Sequence, residues 1–481
     1  TSIEELAHIW QCSTRYAKTI IKKLQQEQIV KWETEKGRGK KPFITIIQSK
    51  EDCIIRLFIS YWEKHQFEEA YSLIGEYHML KHPTIQKWLQ QQYGIQQNEK
   101  SQHILRLLFF HQHVEFNPLQ ALSNWDAHLI KQIHEPLFKE NELTGEIEPN
   151  LLFTFETDDY RKWRFILRKG VYFHNLKPVQ ATDVQFSLER LAQFAKPYLD
   201  YEKFEVVHDY ELLLTLSKPF VILPQLLSAF RAVILPKDKP DGTIGCGAFM
   251  LESCSPYKIQ LTTFGQYFNK RPYIDGIEFI FDKNDMNFGI SYHPFSSDIP
   301  QKEVLLQQLG TDYVVLNMHH GPLQNKALRE TIFALIHPED FINNTLNESV
   351  ALNWLPSEEQ HSSAKIRCTG NDFPVLNIGY QYLSSQSNYL NKACILQKQL
   401  RDFGIKAELT CIDVYKTKSI DTSIDIFIGG AVFGKQKILS ILNLYFTEPQ
   451  AILSFLDEYH RHEVMQTLEK MYTKKQAFEE V

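Results

Sequence analysis

One short run constrains this chain more than any other segment: Lys36-Gly37-Arg38-Gly39-Lys40-Lys41. Its two glycines allow a tight backbone turn, and its cations resist burial. It lies between two apolar stretches, Ile29–Trp32 and Phe43–Ile47, which read as strands joined by a basic tip. Two capped helices precede it. Ser2 with Glu5 forms a capping box for the first, whose apolar face is Leu6, Ile9 and Trp10. Ser13 caps the second, Thr14–Gln26, where Tyr16, Ala17, Ile20, Ile21 and Leu24 follow helical spacing. The opposite face carries Arg15, Lys18, Thr19, Lys22 and Lys23.

Helix, helix, basic hairpin is the order of a winged helix-turn-helix, assigned here to residues 1–48. A recognition helix needs a polar, basic outer face for base edges and phosphates, and an apolar back. The second helix supplies both, with Ser13, Thr14, Arg15, Lys18, Thr19 and Lys22 as candidate DNA contacts. The wing needs glycines to turn and cations to meet phosphate, and Arg38, Lys40 and Lys41 are the candidates there. Charge supports the assignment. Residues 1–50 hold ten Lys/Arg against five Asp/Glu, whereas the whole chain is acidic, at −6. A basic end on an acidic body points to double-stranded DNA at that end.

A chain of 481 residues is too long for one core. Residues 49–102 are helical and rich in aromatics (Phe58, Trp62, Phe67, Tyr71) and are expected to form a helical connector. From His103 the texture alternates between strands and helices, which predicts an α/β body over 103–481. Expected strands include Ile104–Phe110, Val375–Tyr380 and Ile424–Ile428. Expected helices include Asp183–Ala195 (capped by Thr182), Lys326–Leu335, Asn391–Phe403 and Val464–Glu480. The seven cysteines are scattered without a CxxC pair, pointing to a reducing compartment rather than a disulfide framework or zinc site. No apolar run is long enough for a membrane helix. His103, His111, His113 and His319-His320 lack partners at metal-ligand spacing, so no metal and no cofactor are expected. No nucleophile elbow, phosphate loop or zinc-protease motif occurs, so no catalysis is expected.

The stretch from Ser2 to Ile46 resembles the N-terminal domain of the SgrR-type transcriptional regulators, which join a winged helix to a solute-binding body. The resemblance implies that Leu6–Trp10 is the family's second helix and Thr14–Gln26 its recognition helix. The first helix would lie upstream of Thr1, leaving the winged helix truncated. The body resembles the family 5 extracytoplasmic solute-binding proteins, the peptide and nickel receptors of ABC transporters. The resemblance rests on Ile147–Leu152, Trp163–Gly170, Val171–Asn175, Ala181–Val184 through Arg190, Ile244–Phe249, Tyr267–Ile277, Leu328–Ile336, Leu396–Ile405 and Ile424–Phe427. It implies a class II, two-lobed, periplasmic-binding-protein-like fold. Lobe I takes about 103–285 and about 430–481, lobe II takes about 286–430, and the C-terminus is cut short.

Peptide receptors of that family carry an acid shortly after a Gly-Trp pair, to hold the peptide's amino terminus. Here the region reads Gly429-Gly430-Ala431-Val432-Phe433-Gly434, followed by Lys435 and Lys437. The expected ligand is therefore an anionic small molecule such as a sugar phosphate, with Lys435 and Lys437 as candidate contacts. Together these features predict a cytoplasmic, ligand-responsive regulator acting on promoter DNA, with no membrane partner. Two rivals stay open: an oligopeptide-binding receptor of an ABC transporter, and a ligand sensor whose N-terminal domain docks protein instead of DNA.

Overall fold

Capping chemistry starts the chain as its sequence predicts. In the computed structural model, Ser2 and Glu5 form a capping box on α1 (Ile3–Ile9). The Ser13 side chain accepts the Tyr16 amide at the start of α2 (Thr14–Gln26). Strands β1 (Val30–Glu33) and β2 (Phe43–Ile46) pair antiparallel, with Val30 opposite Ile46. The structure describes residues 2–33, 42–281 and 310–473, apart from 65, 80–81, 93, 98–100, 110–113, 122, 142, 196–198, 257, 343–348, 352–365, 369–371, 383–387, 415, 418–419, 435 and 447–450. Leu6, Ala7, Ala17 and Ile21 are buried where α1 and α2 pack together. Two expected core positions are not: Ile9 is 66% exposed and Tyr16 60%. Both have helical spacing, but no described element covers the side of the helix pair they occupy.

Helices α3 (Lys50–Glu63), α4 (Phe67–Glu76) and α5 (Pro83–Gln92) follow. They close around Phe58, Trp62, Phe67, Tyr71 and Trp88. The Trp62 ring lies 4.9 Å from Phe67 and 5.7 Å from both Tyr71 and Trp88, in edge-on contacts. Such pairs add to area burial because ring edges meet ring faces. The segment is not helical to its end. Gly94 takes a positive φ of 87°, and β3 (Gly94–Gln97) runs antiparallel to β4 (His103–Phe109). The connector thus supplies the edge strand of a body sheet, giving the β4 backbone a partner it would otherwise lack.

The first lobe continues with α6 (Asn124–Ile133), β5 (Phe138–Glu140), β6 (Ile147–Pro149), β7 (Leu152–Glu156), β8 (Lys162–Leu167), α7 (Ala181–Phe194), β9 (Tyr201–His208) and β10 (Glu211–Leu216). It then runs through α8 (Leu223–Leu226), β11 (Phe249–Cys254), β12 (Lys258–Thr263) and β13 (Gly276–Phe281). One sheet has the order β7-β8-β10-β9, and the five-stranded sheet runs β11-β12-β13-β4-β3. Every residue of β13 is buried, so both of its faces are covered. Ile277, Phe279 and Phe281 pack with Leu129 and Ile133 of α6, whereas Ile280 joins the aromatic cluster of the connector. Helix α7 starts two residues earlier than predicted. Thr182 lies inside it, Gln180 is the N-cap, and the Asp183 carboxylate accepts the Gln180 amide at 3.0 Å.

The second lobe is the sheet β14-β17-β15-β16, formed by β14 (Gly310–Leu316), β15 (Leu376–Tyr382), β16 (Ala407–Asp413) and β17 (Ile426–Val432). Helices α9 (Lys326–Leu335) and α10 (Tyr389–Asp402) cover one face through Leu328, Ile332, Ala393, Leu396 and Leu400. The other face meets Phe455 of α12 (Ala451–Phe455). Between β17 and α12 lies α11 (Lys437–Phe446); α13 (Glu458–Thr473) follows. Leu442 and Phe446 of α11, with Leu468 and Tyr472 of α13, return to the core that holds α7. The predicted helix Val464–Glu480 begins earlier than expected, and residues 474–481 lie outside the described set. Among the described residues no helix is long and apolar enough to cross a membrane.

Candidate functional site

Helix α2 presents a basic face. Ala17 and Ile21 are buried behind it, so Thr14, Arg15, Lys18, Thr19 and Lys22 stay exposed. Arg15, Lys18 and Lys22 recur at three- and four-residue steps, which puts them on one side of the helix. The Thr19 hydroxyl donates to the Arg15 carbonyl at 3.2 Å, and Ser13 is occupied as the cap. These two expected base contacts therefore help shape the helix. The wing residues Arg38, Lys40 and Lys41 lie outside the described residues. Behind the helix, Arg56 of α3 donates to the carbonyl of Glu27, the C-cap of α2, at 3.2 Å. Connector and helix pair are thereby tied.

In the body, Lys435 falls outside the described residues, and Lys437 sits exposed at the start of α11. A polar cluster that sequence reasoning missed lies on the second lobe. Asp312 on β14 lies opposite Gly430 on β17. Its carboxylate pairs with the Lys392 ammonium and accepts the Tyr389 hydroxyl at 3.2 Å, both from the first turns of α10. Gln381, near the end of β15, accepts the Gly430 amide at 3.0 Å. A Cβ at Gly430 would strike Tyr389 and Asp312, and one at Gly429 would lie 2.8 Å from Gln381 Oε1. The one available signal was the glycine pair itself, since glycine inside a strand marks close approach.

The family-signature segments of lobe I hold the fold together. His134 is buried, and its Nε2–H donates to the Gly242 carbonyl at 2.8 Å, which fixes the tautomer. Burial lowers its pKa to about 4, and burial does the same to His174. His174 bonds the Gly247 carbonyl at 3.1 Å. The buried Glu135 carboxylate accepts Tyr267 Oη at 2.5 Å and Asn150 Nδ2 at 2.7 Å. Burial, with Glu135 adding to it, pushes the Tyr267 phenol up. Arg190 donates to Asn117 Oδ1 at 3.1 Å and to the Pro240 carbonyl at 3.5 Å.

Comparison with known proteins adds what geometry cannot. Residues 1–99 match the family described as sugar transport-related sRNA regulator N-term. Residues 146–365 match the bacterial extracellular solute-binding proteins, family 5 middle. The uncharacterized protein YhjP of Bacillus subtilis is 26% identical over 482 residues, covering 95% of this chain and 83% of its own. The HTH-type transcriptional regulator SgrR of Yersinia enterocolitica is 25% identical over 450 residues, covering 90% of this chain and 79% of its own. Among solved structures, the murein tripeptide binding protein MppA of Escherichia coli superposes with a TM-score of 0.61 at 19% identity, over 77% of this chain and 89% of its own. At that identity the likeness speaks for the fold alone. The chain therefore joins an N-terminal domain of the SgrR type to a family 5 solute-binding domain with a two-lobed α/β fold.

Proposed function

We propose that this chain is a ligand-responsive transcriptional regulator that binds promoter DNA in the cytoplasm and catalyses no reaction of its own. The observation that carries the reading is the exposed basic face of α2, joined through α3–α5 to a two-lobed body. A relative named as a helix-turn-helix transcriptional regulator aligns with 90% of this chain over 79% of its own length. Ser13, Thr14, Arg15, Lys18, Thr19 and Lys22 enter the major groove, and Arg38, Lys40 and Lys41 meet phosphate. A small solute closes the lobes, and only contacts made in the closed form supply energy for the switch. The exposed Lys437 and the neighbouring Lys435 favour an anionic solute such as a sugar phosphate.

The connector supports a direct relay. Arg56 ties it to α2, and both Ile280 and the β3–β4 pairing tie it to lobe I. Lobe II then moves against a unit that includes the DNA-binding end. The test is a mobility-shift titration of the full chain on fragments of its own promoter region, at several salt concentrations. Replacing Arg38, Lys40 and Lys41 by alanine removes three phosphate contacts and lowers the salt slope by about 2.7. Over a fourfold rise in salt the wild type then loses roughly fortyfold more affinity than the variant. Changes at Arg15 shift site preference. Salt-insensitive binding, or an unchanged slope in the triple variant, would refute the reading.

A further inference from the structure

Two exposed cysteines on the second lobe share one neighbour. Tyr380 on β15 lies directly opposite Cys411 on β16 in their parallel ladder. Alternate residues of a strand share a face, so Leu376, Ile378 and Tyr380 form one row, and Ala407, Leu409 and Cys411 the next. All of these except Cys411 belong to the cluster packed beneath α10. Cys411 continues its row on the edge strand of the sheet, where it is exposed.

Cys394 is the exposed residue beside the buried Ala393 of α10. Three residues further along the helix, Gln397 donates its Nε2–H to the Ala407 carbonyl at 2.8 Å. Positions three apart lie on the same side of a helix, so Cys394 is on the flank turned to β16. Helix α10 runs back against the two strands it connects. Stepping from Gln397 to Cys394 therefore moves from Ala407 towards Cys411. Helical side chains tilt towards the helix N-terminus, which carries the Cys394 sulfur further the same way. Tyr380 senses both thiols. Partial burial, then a hydrogen bond to Cys411, then the electrostatic effect of Cys411 and Cys394 raise its pKa. The Lys416 ammonium, held mainly by Asp413 at 2.9 Å, is near enough to Cys411 to feel it as well.

We infer that Cys411 and Cys394 form a reversible oxidation switch: a peroxide converts the pair into a disulfide that staples α10 to the edge strand β16. The Cys411 thiolate attacks one peroxide oxygen and the O–O bond breaks. The departing hydroxide takes up the thiol's proton as water, and the sulfur is left as a sulfenic acid. Cys394 then attacks that sulfur, the S–O bond breaks, and a second water leaves with the Cys394 proton. Two electrons pass from the thiols to the peroxide, and a thiol reductant returns them. The Tyr380 hydroxyl donates to the Cys411 sulfur while it carries negative charge, so Tyr380 is a positioning residue. Cα atoms of α10 and β16 come within 8 Å of one another, and a disulfide spans about 4.4–6.8 Å. A helix flank and an edge strand can close that difference by a small shift. Disulfides in a reducing compartment are mostly of this transient kind.

The test treats the full chain with hydrogen peroxide, blocks the remaining thiols by alkylation and maps the peptides by mass spectrometry. Expected is one peptide pair linked through Cys394 and Cys411, which dithiothreitol separates again. Oxidation also slows hydrogen–deuterium exchange in the α10 and β16 peptides. Cys394→Ser abolishes the link and leaves a sulfenic acid at Cys411 that dimedone traps. Cys411→Ser abolishes both the link and the dimedone label. Tyr380→Phe keeps both thiols but slows link formation roughly tenfold, as expected for loss of a hydrogen bond to a charged group. Both serine variants replace exposed residues, and circular dichroism before oxidation verifies their fold. No linked pair under excess peroxide, a bridge from either cysteine to a different one, or equal sulfenic acid formation at Cys254, which is exposed on β11 of lobe I, overturns the inference.

Discussion

Truncating Ile280 to alanine tests whether the connector and the first lobe behave as one unit. Ile280 is fully buried on β13 and belongs to the aromatic cluster of α3–α5, whereas its neighbour Phe279, 1% exposed, faces α6. Removing most of a buried isoleucine side chain costs about 2–5 kcal/mol, because surrounding atoms collapse only partly into the gap. Here the atoms on one side belong to the connector and those on the other to the sheet. A loss near 3 kcal/mol multiplies local opening roughly a hundredfold. Hydrogen–deuterium exchange read by mass spectrometry should show this acceleration in peptides spanning α3–α5. Phe279→Ala should instead accelerate exchange in α6 and β11. If Ile280→Ala leaves the connector's exchange unchanged, or if both variants speed the same peptides, the connector is not docked through β13. The proposed relay then loses its mechanical link.

Acid should weaken lobe I through His134. Burial lowers its pKa from 6.5 to about 4, so the unfolded chain takes up a proton first. The stability it contributes is complete above pH 6.5 and falls away as pH drops from there to about 4, by roughly 3 kcal/mol. His134→Gln should remove that share in urea titrations across this window, leaving the parallel contribution of His174. An unchanged pH slope would refute it. Gly245→Ala places a methyl against the Ile133 carbonyl and 2.5 Å from His134 Nδ1. It should cost about 1–3 kcal/mol by thermal melting. Gly265→Ala, with nothing within 4 Å of the new Cβ, should stay within about 0.5 kcal/mol of wild type.

Local signals were read well where short-range chemistry decides them. The serine caps at Ser2 and Ser13 and the helix Lys326–Leu335 lie where spacing put them. Local signals misled where a neighbour in space competes. Thr182 has capping chemistry, yet Gln180 takes the cap because Asp183 reaches back to its amide and also accepts the Lys237 amide at 3.0 Å. Tyr16 has core spacing, but periodicity names a face without naming what covers it. Charge alone does not name a partner either: the Arg190 guanidinium meets an amide oxygen and a backbone carbonyl.

The sequence by itself determined the order of parts: a capped helix pair, a basic hairpin, an aromatic helical segment and a body carrying family 5 signatures. Caps, turns and periodicity act over a few residues, so they are legible along the chain. Only the tertiary structure decided that Ile280 belongs to the connector's core, and that Asp312 meets Lys392 from 80 residues away. Sheet order is the reason. β14 pairs with β17 across most of lobe II, and β13 is covered on both faces. Neither arrangement leaves a periodic trace in the residues that join them.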